Sequence, residues 1–468
     1  MRRSLTVSAL LVAAAALGLL SYAPKSDPRL QAASRQERNG WIFVHLEGPP
    51  AQIGFQHGYL LAREIADAQR VIALVLEHDT KQPWRFFREA ARNVFWPRLD
   101  EEYRQELAGI AEGLQARGIK LDVWDVTALN GFLEFTPYYM EWWEKQGGKR
   151  ASLKLATRES CSAFVATGSY TRDGRPVIGH NAWTGYLEGA RWNIIFDIVP
   201  SRGHHIFMDG FPGLIHSADD FGMNAAGIMI TETTISQFHG YDPKGIPEFQ
   251  RARKAMQYAS SIDDFARIMQ EGNNGGYANN WLVADIKTGE IASLELGLKN
   301  VTLRRTRDGY YVGANFPVNE KLAREETSFP MQDASVSANA RRVRWEQLMQ
   351  EYKGRIDLAA GQRFLSDHYD SFARKEDPNE RTLCGHIDLS PRGLEPWQPP
   401  FAPAGAIQAK VADASMCERL SLVAAMGHSC GLHFIAAEHL KRHPQFAWQK
   451  AYLRDLKSHP WTQFQALR

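Results

Sequence analysis

Asp173-Gly174 lies between two short apolar runs, Ser162 to Ala166 and Val177 to Asn181. An Asp-Gly pair accepts the backbone conformations that tight hairpins require, so the two runs read as antiparallel strands joined by a turn. Counting outward from a turn centred near Arg172 and Asp173 sets Trp183 and Thr184 opposite Cys161, with His180 within about one strand-step pair at about 3.3 Å per residue. A thiol at the head of one strand therefore neighbours an imidazole and an indole on the other. Such a cysteine, freed at a chain's amino end, carries both a nucleophile and a base, because its α-amine has an ordinary pKa of about 8. The plainer alternatives are a small buried hydrophobe at Cys161 and a structural histidine at 180.

With 468 residues and 44% hydrophobic content, the chain can bury a substantial core and is long enough for two or three folding units. A net charge of +2, with acids and bases interspersed, supplies no phosphate-neutralising surface, so no nucleic-acid partner is expected. Met1-Arg2-Arg3, the apolar run Leu5 to Leu20 and Ser21-Tyr22-Ala23 predict an export signal over residues 1–23. Pro24 disfavours cleavage after Ala23, which leaves a retained amino-terminal anchor as the alternative. The expected location is a periplasmic, secreted or lysosome-like lumen. In such a compartment Cys384, Cys417 and Cys430 cannot all pair with one another; one pair is expected, with its members open. There is no CxxC or HExxH, so neither a metal nor a cofactor is expected, and His204 and His205 read as opposite faces of a strand.

The chain changes character near its middle. Residues 24–39 have linker composition, and Trp41 to Leu46 reads as a strand. A helix follows over Ile53 to Ile65, whose small residues imply close packing and whose His57 reads as structural. Further helices are expected to about Tyr139, one of them over Tyr103 to Ala116, which makes residues 40–160 a helix-rich segment. Gln146 to Glu159 has the composition of an exposed loop, where a chain can be cut without disturbing a core. Beyond Cys161 come β-rich runs at Trp192 to Val199, His205 to Met208, Gly227 to Thr234 and Trp281 to Ala284. Helices are predicted over Glu248 to Ala259 and over Ile262 to Gln270, the latter capped by Ser261 with Asp264 three residues on. Strand groups alternating with helix groups predict an α+β fold, not a wound parallel sheet. Arg341, Arg342 and Arg344 read as the polar face of a helix, and Trp183, Trp192, Phe211 and Trp281 either as core aromatics, the usual role at strand positions, or as the lining of an apolar slot.

Several motifs, in order, resemble the phospholipase B-like family of amino-terminal-nucleophile hydrolases. They are Cys161-Ser162-Ala163, Gly179-His180-Asn181-Ala182-Trp183, Ser217-Ala218-Asp219-Asp220-Phe221, Glu232-Thr233-Thr234-Ile235, Ala255 to Ser261, Asn279-Asn280-Trp281 and Ala406 to Val411. The leading part, at Gly48 to Gly58 and Leu107 to Gly113, resembles autoproteolytic acyltransferase and hydrolase relatives grouped with penicillin acyltransferase. The resemblance implies a four-layer αββα sandwich made as a precursor that cuts itself between Ser160 and Cys161. Residues 161–468 would be the catalytic domain, with the 40–160 segment released or kept as a smaller fragment.

The resemblance further implies an acyl amide or carboxylic ester as substrate, on a lipid or an N-acylated small molecule, cleaved through a thioester on Cys161. His180 would orient the amine or stabilise charge beside Trp183, and Thr233 would line the site. Asn279 or Asn280 would donate to the oxyanion, while Asn181, Asp219 and Asp220 would order the surroundings. Relatives that act on bile salts or penicillin V carry arginine and aspartate where this chain has His180 and Trp183, so those specificities are not expected. Three alternatives stand beside this reading: an acyltransferase of the penicillin acyltransferase type, a papain-type peptidase, and a secreted binding module that has lost activity. The sequence leaves the oligomeric state open.

Overall fold

The computed structural model describes residues 27–148, 161–218, 221–394 and 396–467. The segment expected to be linker contains strand β1 (Ser34–Arg38), which pairs with β2 (Trp41–Gly48). Its sequence, Ser-Arg-Gln-Glu-Arg, has no apolar residue and so resembles a linker; charged side chains of this kind suit the outer edge of a sheet, where they oppose further pairing. In chain order there follow β3 (Ser162–Thr167), β4 (Val177–Gly185), β5 (Ile194–Pro200), β6 (Ile206–Gly210), β7 (Gly222–Asn224) and β8 (Ile228–Thr234). Then come β9 (Asn279–Asp285), β10 (Glu290–Leu296), β11 (Val301–Thr306), β12 (Gly309–Gly313) and the short ladder β13 (Tyr369–Asp370) with β14 (Lys375–Glu376). The last strands are β15 (Ala404–Asp413), β16 (Ser421–Met426) and β17 (Thr462–Gln465).

A nine-stranded sheet runs β1-β2-β5-β6-β7-β8-β9-β10-β11, and a six-stranded sheet runs β12-β3-β4-β15-β16-β17. The two face each other where β3, β4 and β12 lie against β8, β9 and β10. Helices Pro50–Leu60, Glu248–Tyr258 and Ile262–Gln270 cover the larger sheet; helices Ser337–Glu351 and Leu358–Leu365 cover the smaller. The result is the expected α+β sandwich of four layers, helix, sheet, sheet and helix. The helix-rich leading segment is nonetheless no separate body. Its strand β2 runs parallel to β5 inside the larger sheet, with Val44 opposite Phe196.

Local sequence explains the helices that pack most closely. The expected helix at Ile53 is two, Pro50–Leu60 and Ala62–Thr80, broken where Leu61 leaves helical geometry at φ −111° and ψ 22°. Gly54 and Gly58 of the first helix meet Gly109 and Gly113 of helix Glu101–Ala116. A Cβ at Gly54 would lie 2.0 Å from the Glu106 carbonyl oxygen, and one at Gly109 would lie 2.3 Å from that of Ala51. Only glycine on both faces lets the backbones approach so closely. Helix Ile262–Gln270 begins as expected, with Ser261 Oγ accepting from the Asp264 N–H. Among the described residues, no helix is long and apolar enough to cross a membrane. The expected export signal lies outside them.

Candidate active site

Strands β3 and β4 form the expected hairpin with a shifted register. Ser162 pairs with Asn181 and Ala163 with His180, so Trp183 sits further along than opposite Cys161. The shift follows from the connection, which is longer than an Asp-Gly turn: a 3-10 turn at Gly168–Tyr170 precedes the bend, and Thr171 bridges to Ile356. His180 still comes to the thiol. Cys161 Sγ, a ring nitrogen of His180 and a carboxylate oxygen of Glu232 lie within 4.8 Å of one another, all three residues buried. The Cys161 thiol points at Glu232 Oε1 over 4.0 Å, and Tyr277 donates its hydroxyl to the same oxygen at 3.0 Å.

Arg341 was expected on a polar helix face and is instead wholly buried. Its Nη1 donates to the Cys161 carbonyl oxygen at 2.6 Å and to Ser162 Oγ at 3.2 Å; its Nη2 donates to Asn315 Oδ1 at 3.0 Å. The guanidinium lies 4.3 Å from the centre of the Trp183 ring. Asn315 in turn donates Nδ2 to the Thr234 carbonyl at 2.9 Å, tying this arginine to the end of β8. Neither Arg341 nor Asn315 stands out in the sequence: one lies among three arginines in a helix and the other in a loop. Arg344 behaves as expected of a polar face, pairing with Asp367 at 2.6 Å.

Beneath His180 lies a buried polar network. Lys410, opposite His180 in the β4–β15 ladder, places Nζ 2.8 Å from Asp209 Oδ2, and both side chains are wholly buried. Gln408 Nε2 donates to the same oxygen, and Ser217 Oγ donates to Oδ1, each at 2.8 Å. Burial, reinforced by the Lys410 charge, holds the His180 pKa well below the usual histidine range, partly offset by a hydrogen bond with the Glu232 backbone. The shift favours the neutral imidazole and weakens it as a proton acceptor.

The two asparagines of β9 part company. Asn280 lies opposite Thr233, and Thr233 packs against Gly313 of β12, so this face turns toward the smaller sheet. Asn280 Oδ1 accepts from Ser293 Oγ at 2.8 Å, while its Nδ2 has no hydrogen-bond partner among the described residues. Asn279 lies opposite Thr234 on the other face, with its whole amide unpartnered among those residues. Asn181 is occupied structurally, donating to the carbonyls of Leu365 and Leu383 at 2.8 and 3.0 Å. Ser160, Asp219 and Asp220 lie outside the described residues.

The four aromatics do not line one slot but pack as core in three places. Trp192 and Phe211 meet edge-on at 5.2 Å and both contact Phe132, Trp281 meets Phe265 at 5.6 Å, and Trp183 packs with Arg341 and Gly385. His57 is structural as expected: buried, it accepts from the Gly213 N–H at 3.0 Å. His204 pairs with Ser260 and His205 with Asp197, so they share no site. No disulfide joins any two of the cysteines in this structure, so the expected pair is not formed, although Cys384 and Cys430 lie close together and Cys417 lies apart from both.

The family described as Phospholipase B matches residues 64–463 of this sequence. The chain belongs to that family. Among curated members it is similar to human phospholipase B-like 1, at 23% identity over 280 residues, covering 54% of this chain and 49% of the relative. It is similar also to human putative phospholipase B-like 2, at 26% identity over 315 residues, covering 57% and 52%. The chain thus spans about half the length of these curated phospholipase B relatives. Among solved structures it is similar to a conjugated bile acid hydrolase from Clostridium perfringens, with a TM-score of 0.32 and 12% identity, covering 56% of this chain and 88% of that one.

Proposed function

We propose that this phospholipase B family member is a self-processing cysteine hydrolase that cleaves acyl amides or carboxylic esters of lipids or N-acylated small molecules. The observation that carries this reading is the buried cluster of Cys161, His180 and Glu232, with the Cys161 backbone held by Arg341. In the precursor the α-amine of Cys161 is locked in a peptide bond, so the thiol proton passes to one of the two acceptors beside it, the Glu232 carboxylate or the His180 ring. The thiol gives up its proton and its sulfur attacks the Ser160 carbonyl carbon. The carbon–nitrogen bond then breaks, the proton passes to the departing Cys161 nitrogen, and a thioester joins Ser160 to Sγ. Water hydrolyses that ester, leaving a carboxylate on Ser160 and a free amine on Cys161.

On a substrate the freed amine takes the thiol proton as sulfur attacks the acyl carbon. The leaving amine or alcohol departs with that proton, and water releases the acid from the thioester. Each step passes through an oxyanion, and Asn280 is the better suited of the β9 pair to meet it. Ser293 fixes its oxygen and thereby aims its unpartnered Nδ2 from the face it shares with Thr233. Asn315 is spent on Arg341 and Thr234, which supports a positioning role.

Denaturing gel mobility of the purified full chain tests the first half of this reading. Wild type is expected as two fragments divided before Cys161, and Cys161→Ala as one intact chain. A wild type that stays whole under activating conditions would falsify self-processing. For the second half, released fatty acids and amines are measured from phospholipids and N-acyl amino acids presented in parallel; release by wild type but not by Cys161→Ala is expected, and equal release by both would exclude Cys161 as nucleophile.

A further inference from the structure

Away from the nucleophile, four side chains from three loops converge on one point. His368 precedes β13, Cys384 and His386 precede the 3-10 turn Ile387–Leu389, and Cys430 follows β16. One ligand-type atom from each lies within 4.8 Å of all the others. His386 Nε2 stands 3.2 Å from His368 Nε2 and 3.6 Å from each of Cys384 Sγ and Cys430 Sγ. A single ring nitrogen carries one proton or one lone pair, so it cannot hydrogen-bond to three groups at once. A cation at the centre satisfies all of them. Tetrahedral zinc, with bonds of about 2.05 Å to nitrogen and about 2.3 Å to sulfur, sets N···N at about 3.3 Å and N···S at about 3.6 Å.

The surroundings suit an ion as well. His386 turns its outer nitrogen, Nδ1, toward Asp388 Oδ1 at 3.9 Å, and that carboxylate is held by the Tyr186 hydroxyl at 2.8 Å. Carboxylates behind ligating histidines fix the ring and raise its basicity. Ser429 Oγ lies 3.7 Å from Cys384 Sγ while donating its proton to the Leu365 carbonyl at 2.6 Å, which ties the Cys430 loop to the segment before His368. The neighbouring His428 is excluded as a ligand because both its nitrogens are engaged, by Tyr186 at 2.9 Å and by the Leu432 carbonyl at 3.0 Å. In the sequence the signal is a pair of short, reversed motifs, Cys384-Gly385-His386 and His428-Ser429-Cys430, too far apart and too short to match a familiar zinc spacing.

We propose that His368, Cys384, His386 and Cys430 bind one zinc ion in a closed tetrahedral site that pins three loops beside the catalytic sheet. Two thiolates and two neutral imidazoles balance the ion's charge, and with four protein ligands no position is left for substrate, so the role is structural. The site abuts the catalytic sheet through Gly385, between two of the ligands. A Cβ there would lie 2.2 Å from the Trp183 ring. Because the nucleophile is not a ligand, the site stands or falls independently of the proposed reaction.

Metal content of the full chain, purified without added metal and again after incubation with zinc and desalting, provides the test. About one zinc per chain is expected in wild type and in Cys161→Ala, falling at least about ten-fold in Cys384→Ser and His368→Ala. Cobalt added to chelator-stripped wild type should give the intense visible bands of a tetrahedral thiolate site, a readout that needs no variant to fold. Zinc absent from wild type even after loading, or retained in the variants, overturns the proposal. So does a metal-free protein in which two thiols react in denaturant only after reduction, since that outcome makes Cys384–Cys430 a disulfide.

Discussion

Arg341 holds Cys161 by the backbone: its Nη1 donates to the Cys161 carbonyl oxygen at 2.6 Å, a bond that uses neither the thiol nor the amide nitrogen on which the proposed reaction depends. The same guanidinium reaches Asn315 and lies over Trp183, so one planar group fixes Cys161 against both strands of the hairpin and the end of β8. Lysine has a point charge in place of this fork and cannot make both bonds in the same geometry. Arg341→Lys is therefore expected to fold but to slow both self-cleavage and turnover, on the order of 10²-fold, as a small misplacement of a reacting group does. Single-turnover cleavage of the precursor and kcat against KM on the mature protein check this. A positioning role lowers kcat with KM little changed, and an unchanged kcat would remove Arg341 from the site.

The leading elements of the fold were legible because hydrophobic period and turn chemistry act locally. Helix Ile262–Gln270 and its Ser261 cap need nothing beyond their own residues, and the strands at 162 and 177 need only an intervening turn. What was hidden depended on the third dimension. β1 has no apolar side chain to announce it, and Arg341 is buried only because Cys161, Asn315 and Trp183 arrive from distant segments to satisfy it. The same holds for His368 and Cys430, whose partners lie 18 and 44 residues away from them at His386. That His180 comes near Cys161 was legible from the hairpin, whereas which of Asn279 and Asn280 faces the smaller sheet required knowing the strand pairing.

Lys410 and Asp209 form an ion pair with no access to water. Removing one partner leaves the other's charge buried, which costs about 3–5 kcal/mol, whereas removing both restores part of it. Lys410→Met is expected to lose that much in urea unfolding, and Lys410→Met with Asp209→Asn to lose less than Lys410→Met alone. A double variant no more stable than the single one would show that Gln408 and Ser217 already neutralise Asp209.

The paired glycines of helices Pro50–Leu60 and Glu101–Ala116 make a sharper demand. A methyl at Gly58 would sit 2.0 Å from the Ile110 carbonyl oxygen, and this is backbone on both sides, with no flexible side chain to yield. The helices must move apart. Gly58→Ala is expected to cost about 3 kcal/mol or more, while Gly118→Ala, whose methyl would meet nothing within 4 Å, tests only the penalty of positive φ at +77°. Thermal midpoints of the two variants against wild type check the contrast, and equal losses would mean that close approach is not what selects glycine at 58.

Glu134 is buried, with Oε1 accepting from the Glu248 N–H at 2.8 Å and Oε2 from Asn274 Nδ2 at 2.5 Å. Burial outweighs these bonds and the nearby Arg251 charge, raising its pKa to about 7 from the usual 4.5. Between those values the folded chain holds a proton that the unfolded chain has released, so stability from this group is full at acid pH and declines as pH rises from about 4.5 to about 7. The accumulated loss is about 3 kcal/mol at most. Glu134→Gln cannot ionise, although its amide must face a donor on one side, so it starts less stable by a roughly constant amount. The stability of wild type relative to Glu134→Gln is thus expected to shrink steadily over that pH range and to level off above it, measured by urea midpoints at fixed ionic strength. A difference that stays flat from pH 4 to 8 would place the Glu134 pKa near its ordinary value, with the hydrogen bonds outweighing burial.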